Sequence, residues 1–178
     1  MKPRSGESTR HLVKAIVLAA IALFAPLYSV GVDASPQVEL DTSRVGPRAI
    51  ETLTERSVLA GYRFAWENLA SALQSNSLAP LNGSFVGTAN SSLKERVIAQ
   101  QRSGLSSRYL NQIHKVDAVF YAPEGDLIEL HDRAEYTLQI LDGDKTVHNE
   151  RIVVRYVVLM TPGADRWVVR QMQSVPHF

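Results

Sequence analysis

The sequence predicts an α+β domain, preceded by a signal peptide or membrane anchor, with a long helix and a short helix on a curved antiparallel four-stranded sheet. Three observations predict it. Apolar residues recur at helical spacing only in the first half of the chain. After Leu105 the pattern changes to alternation broken by "APEG", "DGD" and "TPGAD", turn sequences of hairpin length. Helices first and a strand meander afterwards place both helices on one face of the sheet.

The N-terminus reads as an export segment. "MKPRSGESTRHLVK" is polar and basic, and "AIVLAAIALFAPLYSVGV" follows without a charge. The run from Ala15 to Val32 stands at the short limit of a spanning helix, roughly 17–25 residues. Pro26 suits the end of a signal-peptide apolar region, and "VDA" before Ser35 offers a cleavage site. Residues 1–35 are therefore a cleaved signal peptide or a retained transmembrane anchor, which would attach the chain to the membrane through residues 15–32. Either places the remainder outside the cytoplasm of a bacterial host, periplasmic or otherwise extracytoplasmic in the cell envelope. No cysteine follows the apolar run, which excludes a lipoprotein, and none occurs anywhere, which excludes disulfides and thiolate chemistry.

Net charge is +1, but the leader supplies it. Residues 1–34 take four of the 19 basic and two of the 18 acidic groups, leaving 15 against 16, a net of −1. The folded part therefore has no electrostatic case for nucleic acid.

Residues 36–47, "PQVELDTSRVGP", read as a linker, and residues 48–178 as the domain. Pro47 is a plausible first helical residue. Leu59, Tyr62, Trp66, Leu69 and Leu73 step by three and four, one apolar stripe ending near Gln74 and widened by Val58, Ala65 and Ala72. Pro80, Gly83 and Gly87 break the helix, and Leu78, Leu81 and Phe85 are expected to plug the space beneath it. A second helix is expected at "SSLKERVIAQQRSG", with Ser92 and Glu95 as a capping box and Gly104 as its stop. Strands are expected near residues 109–121, 127–141, 146–160 and 166–174.

Register in the long hairpin decides which side chains meet inside. A three-residue loop, Asp142 to Asp144, sets Leu130, Ala134 and Leu138 opposite Tyr156, Ile152 and His148, and Glu135 opposite Arg151 on the outer face. The inner face then holds Asp132 among apolar neighbours. Carrying the alternation onward brings Asp132, Tyr156 and Gln171 into one polar cluster, with Tyr136 and Glu150 in a second.

This order of elements resembles the nuclear transport factor 2-like superfamily over roughly residues 50–174. The features that carry it are "FAWENLASALQSNSLAPL" in the long helix, the short capped helix, and four strands ending in "DRWVVRQM". The superfamily has a cone-shaped α+β fold and includes SnoaL-type polyketide cyclases, ketosteroid isomerase and scytalone dehydratase. A basic N-terminus and apolar segment ahead of such a domain are similar to periplasmic domains of type IV secretion assembly factors. They are similar also to proteins of mycobacterial lipid-import operons. The resemblance implies a pocket inside the cone, although no position matches a catalytic motif of the superfamily residue by residue; the inner face and the helix stripe would line it with Tyr62, Trp66, Asp132, Tyr136, Glu150, Tyr156 and Gln171.

Two functions follow. One is a non-enzymatic envelope domain that binds a partner protein, a second copy through the sheet face, or a small apolar ligand. In that case Asp132 is a structural carboxylate accepting hydrogen bonds from Tyr156, Gln171 or the Trp66 indole. The alternative is a lyase or isomerase of the SnoaL or ketosteroid isomerase type. There Asp132 is the general base or acid, and Tyr156, Tyr136 or Tyr62 donates a hydrogen bond. No cofactor is expected, and no metal: His131 and Asp132 face opposite ways, and His114 and His148 lack ligand partners at useful spacing.

Overall fold

The computed structural model describes residues 35–178, so the signal or anchor expected over residues 1–35 falls, Ser35 apart, outside the described residues. Among those described, no helix is long and apolar enough to cross a membrane. The element order is β1 (Gln37–Asp41), β2 (Gly46–Pro47), α1 (Thr52–Ser75), a single 3-10 turn (Ala79–Leu81), α2 (Gly87–Ser103), β3 (Leu105–Tyr121), β4 (Ile128–Asp142), β5 (Lys145–Pro162) and β6 (Trp167–Val175).

Both helices pack on one face of the sheet, as the sequence predicts, but the sheet is mixed. β3, β4, β5 and β6 are antiparallel neighbours, and β1 lies parallel to β3 at the other end of the order β1-β3-β4-β5-β6. The segment read as a linker is thus an edge strand, with Val38 opposite His114 and Leu40 opposite Val116. Its in-out alternation, "QVELD", is too short to stand out by itself; pairing with β3 turns Val38 and Leu40 onto the core. Pro47 belongs to β2, beside Tyr121, and α1 starts only at Thr52.

Apart from Leu59, which is only half-buried, the α1 stripe is core. Val58, Tyr62, Ala65, Trp66, Leu69, Ala72 and Leu73 are all buried, each large side chain contributing about 1.5–3 kcal/mol. Gly61 lets the helix touch β6, because a Cβ there would sit 2.4 Å from the Trp167 carbonyl oxygen. Leu81 and Phe85 fill the space below, as expected. α2 begins at Gly87, a full turn before the expected capping box, so Ser92 lies inside it; Gly104 ends it in a left-handed conformation.

The hairpin corrects the predicted register. Its turn is the two residues Gly143 and Asp144, between the paired Asp142 and Lys145. Val147 is then an extra residue in β5, bulged between the pairs Leu141–Thr146 and Ile140–His148. Beyond the bulge Leu130, Ala134 and Leu138 sit opposite Val158, Val154 and Glu150, two residues from the expected partners. Glu135 faces Val153, not Arg151, which it reaches diagonally as an ion pair. A two-residue turn alone would invert the faces; the bulge restores them.

Candidate functional site

Asp132 points in, as the alternation predicts, and no part of its side chain meets solvent. Two groups hold it. The Tyr62 hydroxyl of α1 donates to Oδ2 at 2.6 Å, and His114 Nδ1 of β3 lies 2.8 Å from the same oxygen. With Asp132 as the carboxylate, Nδ1–H is the donor. The Trp66 ring lies over the His114 imidazole, centroids 4.3 Å apart, and Tyr62 meets both rings edge-on. Burial raises the Tyr62 hydroxyl pKa well above the ordinary tyrosine value, and the neighbouring Asp132 charge adds to it.

A second polar chain runs from this centre towards α2. The Tyr136 and Tyr156 hydroxyls are 3.5 Å apart, Tyr136 stacks on Tyr109, and Arg96 donates to the Tyr109 hydroxyl at 2.6 Å. Burial raises the pKa of all three tyrosines; at Tyr109 the Arg96 guanidinium opposes the shift.

The expected site is only partly assembled. Tyr62, Trp66, Asp132, Tyr136 and Tyr156 converge beneath α1. Glu150 does not join Tyr136: it is exposed, opposite Leu138, and pairs with His148 at 3.1 Å. Gln171 does not reach Tyr156. A bulge at Arg170 shifts β6 by one residue, so Gln171 lies opposite Leu159 and Met172 takes the inward place. Neither Gln171 nor Tyr156 bonds Asp132. His114 is the partner that the sequence reading missed, although Val116 and Ala118, of the same parity, mark its face as inward. His131 points the other way from Asp132 and bonds Glu129.

Asp132 and His114 are both wholly buried. A void beneath α1, lined by Tyr62, Trp66, Phe85 and Met172 among others, encloses about 150 Å³ and leaves no room for a water-sized sphere. Among the described residues, Asp132 Oδ1, His114 Nε2 and Trp66 Nε1 are buried without protein partners. Acid-base chemistry needs a general base within hydrogen-bond reach of the proton it removes. Among the described residues, no cluster of three or more His, Asp or Glu side chains is placed to hold a metal ion.

No protein-family model matches the chain, and no curated protein matches it. Solved structures do. The crystal structure of the intermembrane space region of the chloroplast protein ARC6 superposes with a TM-score of 0.55 at 12% identity, covering 72% of this chain and 98% of that one. A variant of Rv3472, a protein of unknown function from Mycobacterium tuberculosis, gives 0.44 at 11% identity over 72% and 77% of the two chains. At these identities the first likeness concerns the fold alone.

Proposed function

We propose that residues 36–178 form a non-catalytic binding domain of the cell envelope, built on a nuclear transport factor 2-like scaffold, whose ligand is a partner protein. The observation that carries this reading is the filled interior. Where relatives of that shape have a pocket, this chain places Trp66 over His114, with Tyr62 and Phe85 beside the closed void. Function then moves to the outside of the sheet and its edges. Export is supported by the uninterrupted Ala15–Val32 run beside a basic flank. The ARC6 likeness, to a region described as lying in an intermembrane space, agrees with an envelope setting.

Two measurements test this. A reporter that fluoresces only in the cytoplasm, fused after Phe178, stays dark if the domain is exported; strong fluorescence rejects the location. Photo-crosslinking residues scanned over the exposed surface yield a discrete protein adduct from one cluster of positions. Adducts from none of them, or a lipid bound stoichiometrically in native mass spectrometry, reject the protein-binding reading.

A second reading, a lyase or isomerase using Asp132, draws on the His114–Asp132–Tyr62 arrangement. It requires α1 to lift from the sheet and open a path to the carboxylate. Turnover of a hydrophobic carbonyl compound, abolished in Asp132→Asn, would support it.

A further inference from the structure

The geometry points to the groove between β1 and α1 as the docking site for an extended, basic peptide segment of the partner, which adds to β1 as a further strand. This rests on the protein-binding reading above and gives it a surface.

Two concavities lie where α1 passes the N-terminal end of β1. The first, about 490 Å³, lies between Ser35–Pro36 and the α1 residues Glu67, Ala70, Ser71 and Gln74. The second, about 330 Å³, is bordered by Gln37, Val38 and Glu39 of β1, Arg63 of α1 and Ile113 and His114 of β3. A third, about 190 Å³, lies between Glu39 and Asp41 of β1 and Lys115 and Asp117 of β3, with no helix wall. The first two run from Ser35 to Glu39 beside the helix. Among the described residues β1 is the end of the sheet, so the backbone groups on its far side have no strand partner. A peptide laid along such an edge gains main-chain hydrogen bonds, and pockets beside the strand read its alternate side chains. The helix supplies the wall: Arg63, Glu67 and Ser71 stand one turn apart along α1.

Gln112 indicates a ligand independently of the groove's shape. It lines the first concavity, is 4% exposed, and its Oε1 is buried without a partner. Its position is built by a departure from regular strand geometry. β3 bulges between Leu110 and Ile113, with Asn111 in the left-handed region at φ 53°, a conformation that asparagine tolerates better than most residues. A buried acceptor without a donor is unfavourable, and a ligand N–H relieves it. Gln112 and Glu67 line the same concavity. A lysine or arginine side chain offers both the donors and the charge.

The acidic edge also argues against self-pairing. A second β1 laid on the first would set Glu39 and Asp41 among like charges, whereas a basic strand meets them with opposite ones.

The test immobilises the full chain and selects from a phage-displayed library of random peptides. Enriched peptides are expected to carry a lysine or arginine within a run of strand-forming residues, and to shift the amide resonances of Gln37–Asp41. Ser71→Trp fills the groove from an exposed position of α1 and lowers their affinity by about tenfold or more; Gln112→Leu lowers it by removing the acceptor. Thr146→Trp, at the far hairpin, leaves it unchanged. Because Ser71 is exposed, its variant folds even if Gln112→Leu does not. Failure to enrich any peptide, or equal affinity for wild type and Ser71→Trp, overturns the proposal. So does a concentration-dependent dimer abolished by Ser71→Trp, which would make the occupant a second copy. If surface crosslinking finds a partner protein at positions away from β1, this docking site falls and the protein-binding reading stands.

Discussion

The two ends of the inner face of the β4–β5 hairpin obey one alternation and meet different fates. Near the base, Ile128, Leu130, Asp132, Ala134 and Val158 are wholly buried under α1. Towards the turn, His148 and Glu150 have the same inward parity yet remain exposed, because β5 runs on past the end of β6 and no helix covers them. Parity decides which way a side chain points. What lies opposite decides whether it is buried, and that is a property of other elements. A carboxylate at the covered end must therefore be held by fixed donors, while one near the turn can rely on water.

That contrast predicts its largest effect in alkali. Tyr62, Tyr109, Tyr136 and Tyr156 all have pKa values raised by burial. The unfolded chain releases these protons near the ordinary tyrosine pKa of about 10, whereas the folded chain retains them. Stability is thus fully present below that pH and is lost as pH rises towards the folded values. Tyrosinate absorbance should rise together with loss of the native circular dichroism signal. Smooth titration of every tyrosine near pH 10 in a protein that stays folded would erase the distinction between the two ends.

The next effect is at Asp132. Asp132→Ala strands the Tyr62 hydroxyl and His114 Nδ1 and should cost about 3–5 kcal/mol, the range for breaking a buried pair. Asp132→Asn keeps an acceptor for Tyr62 and should cost about 1–3 kcal/mol. Urea unfolding at neutral pH measures both, and a stabilised Asn variant would show that the carboxylate is a strain and not a tie.

Gly61→Ala probes the same covered end without charge. Alanine is the better helix former by about 1 kcal/mol, yet the new Cβ would meet the Trp167 carbonyl oxygen at 2.4 Å. A net loss of about 1–3 kcal/mol is expected from overpacking. Val153→Thr, half-exposed on the outer face, should change stability by less than about 0.5 kcal/mol. Equal losses at the two sites would refute the contrast.

The smallest effect is the Glu135–Arg151 pair, whose side chains are 28% and 74% exposed. A double-mutant cycle should give a salt-sensitive coupling of about 0.2–1 kcal/mol. Coupling of Glu135 to Arg133 instead would contradict the observed geometry.

Much of this was legible in the residues. The two helices, the four long strands and the inward direction of Asp132 follow from spacing alone. Three of the exceptions share one cause. Bulges at Val147, at Arg170 and between Leu110 and Ile113 each insert a residue, and nothing in side-chain polarity announces an insertion. They misplace Gln171, shift the partners of Glu135 and hide the turn of Gln112 towards α1. β1 escaped for a different reason: a parallel edge strand of five residues draws its identity from β3, far along the chain. His114 was within reach, since the alternation that turns Asp132 inward applies equally to β3.

The parallel β1–β3 pair also bears on the order in which the molecule assembles. The β4–β5 hairpin closes over a two-residue turn, a local event on the microsecond scale. Joining Gln37 to Ile113 must instead wait until both helices and the 3-10 turn have been threaded between them, and the chain entropy of that closure is offset only once β3 is already in place. β1 is therefore the last strand to arrive during folding and the first to detach in partial opening. Its amide protons should exchange with deuterium ahead of those in β3 and β4, marking the strand as the molecule's kinetically softest seam.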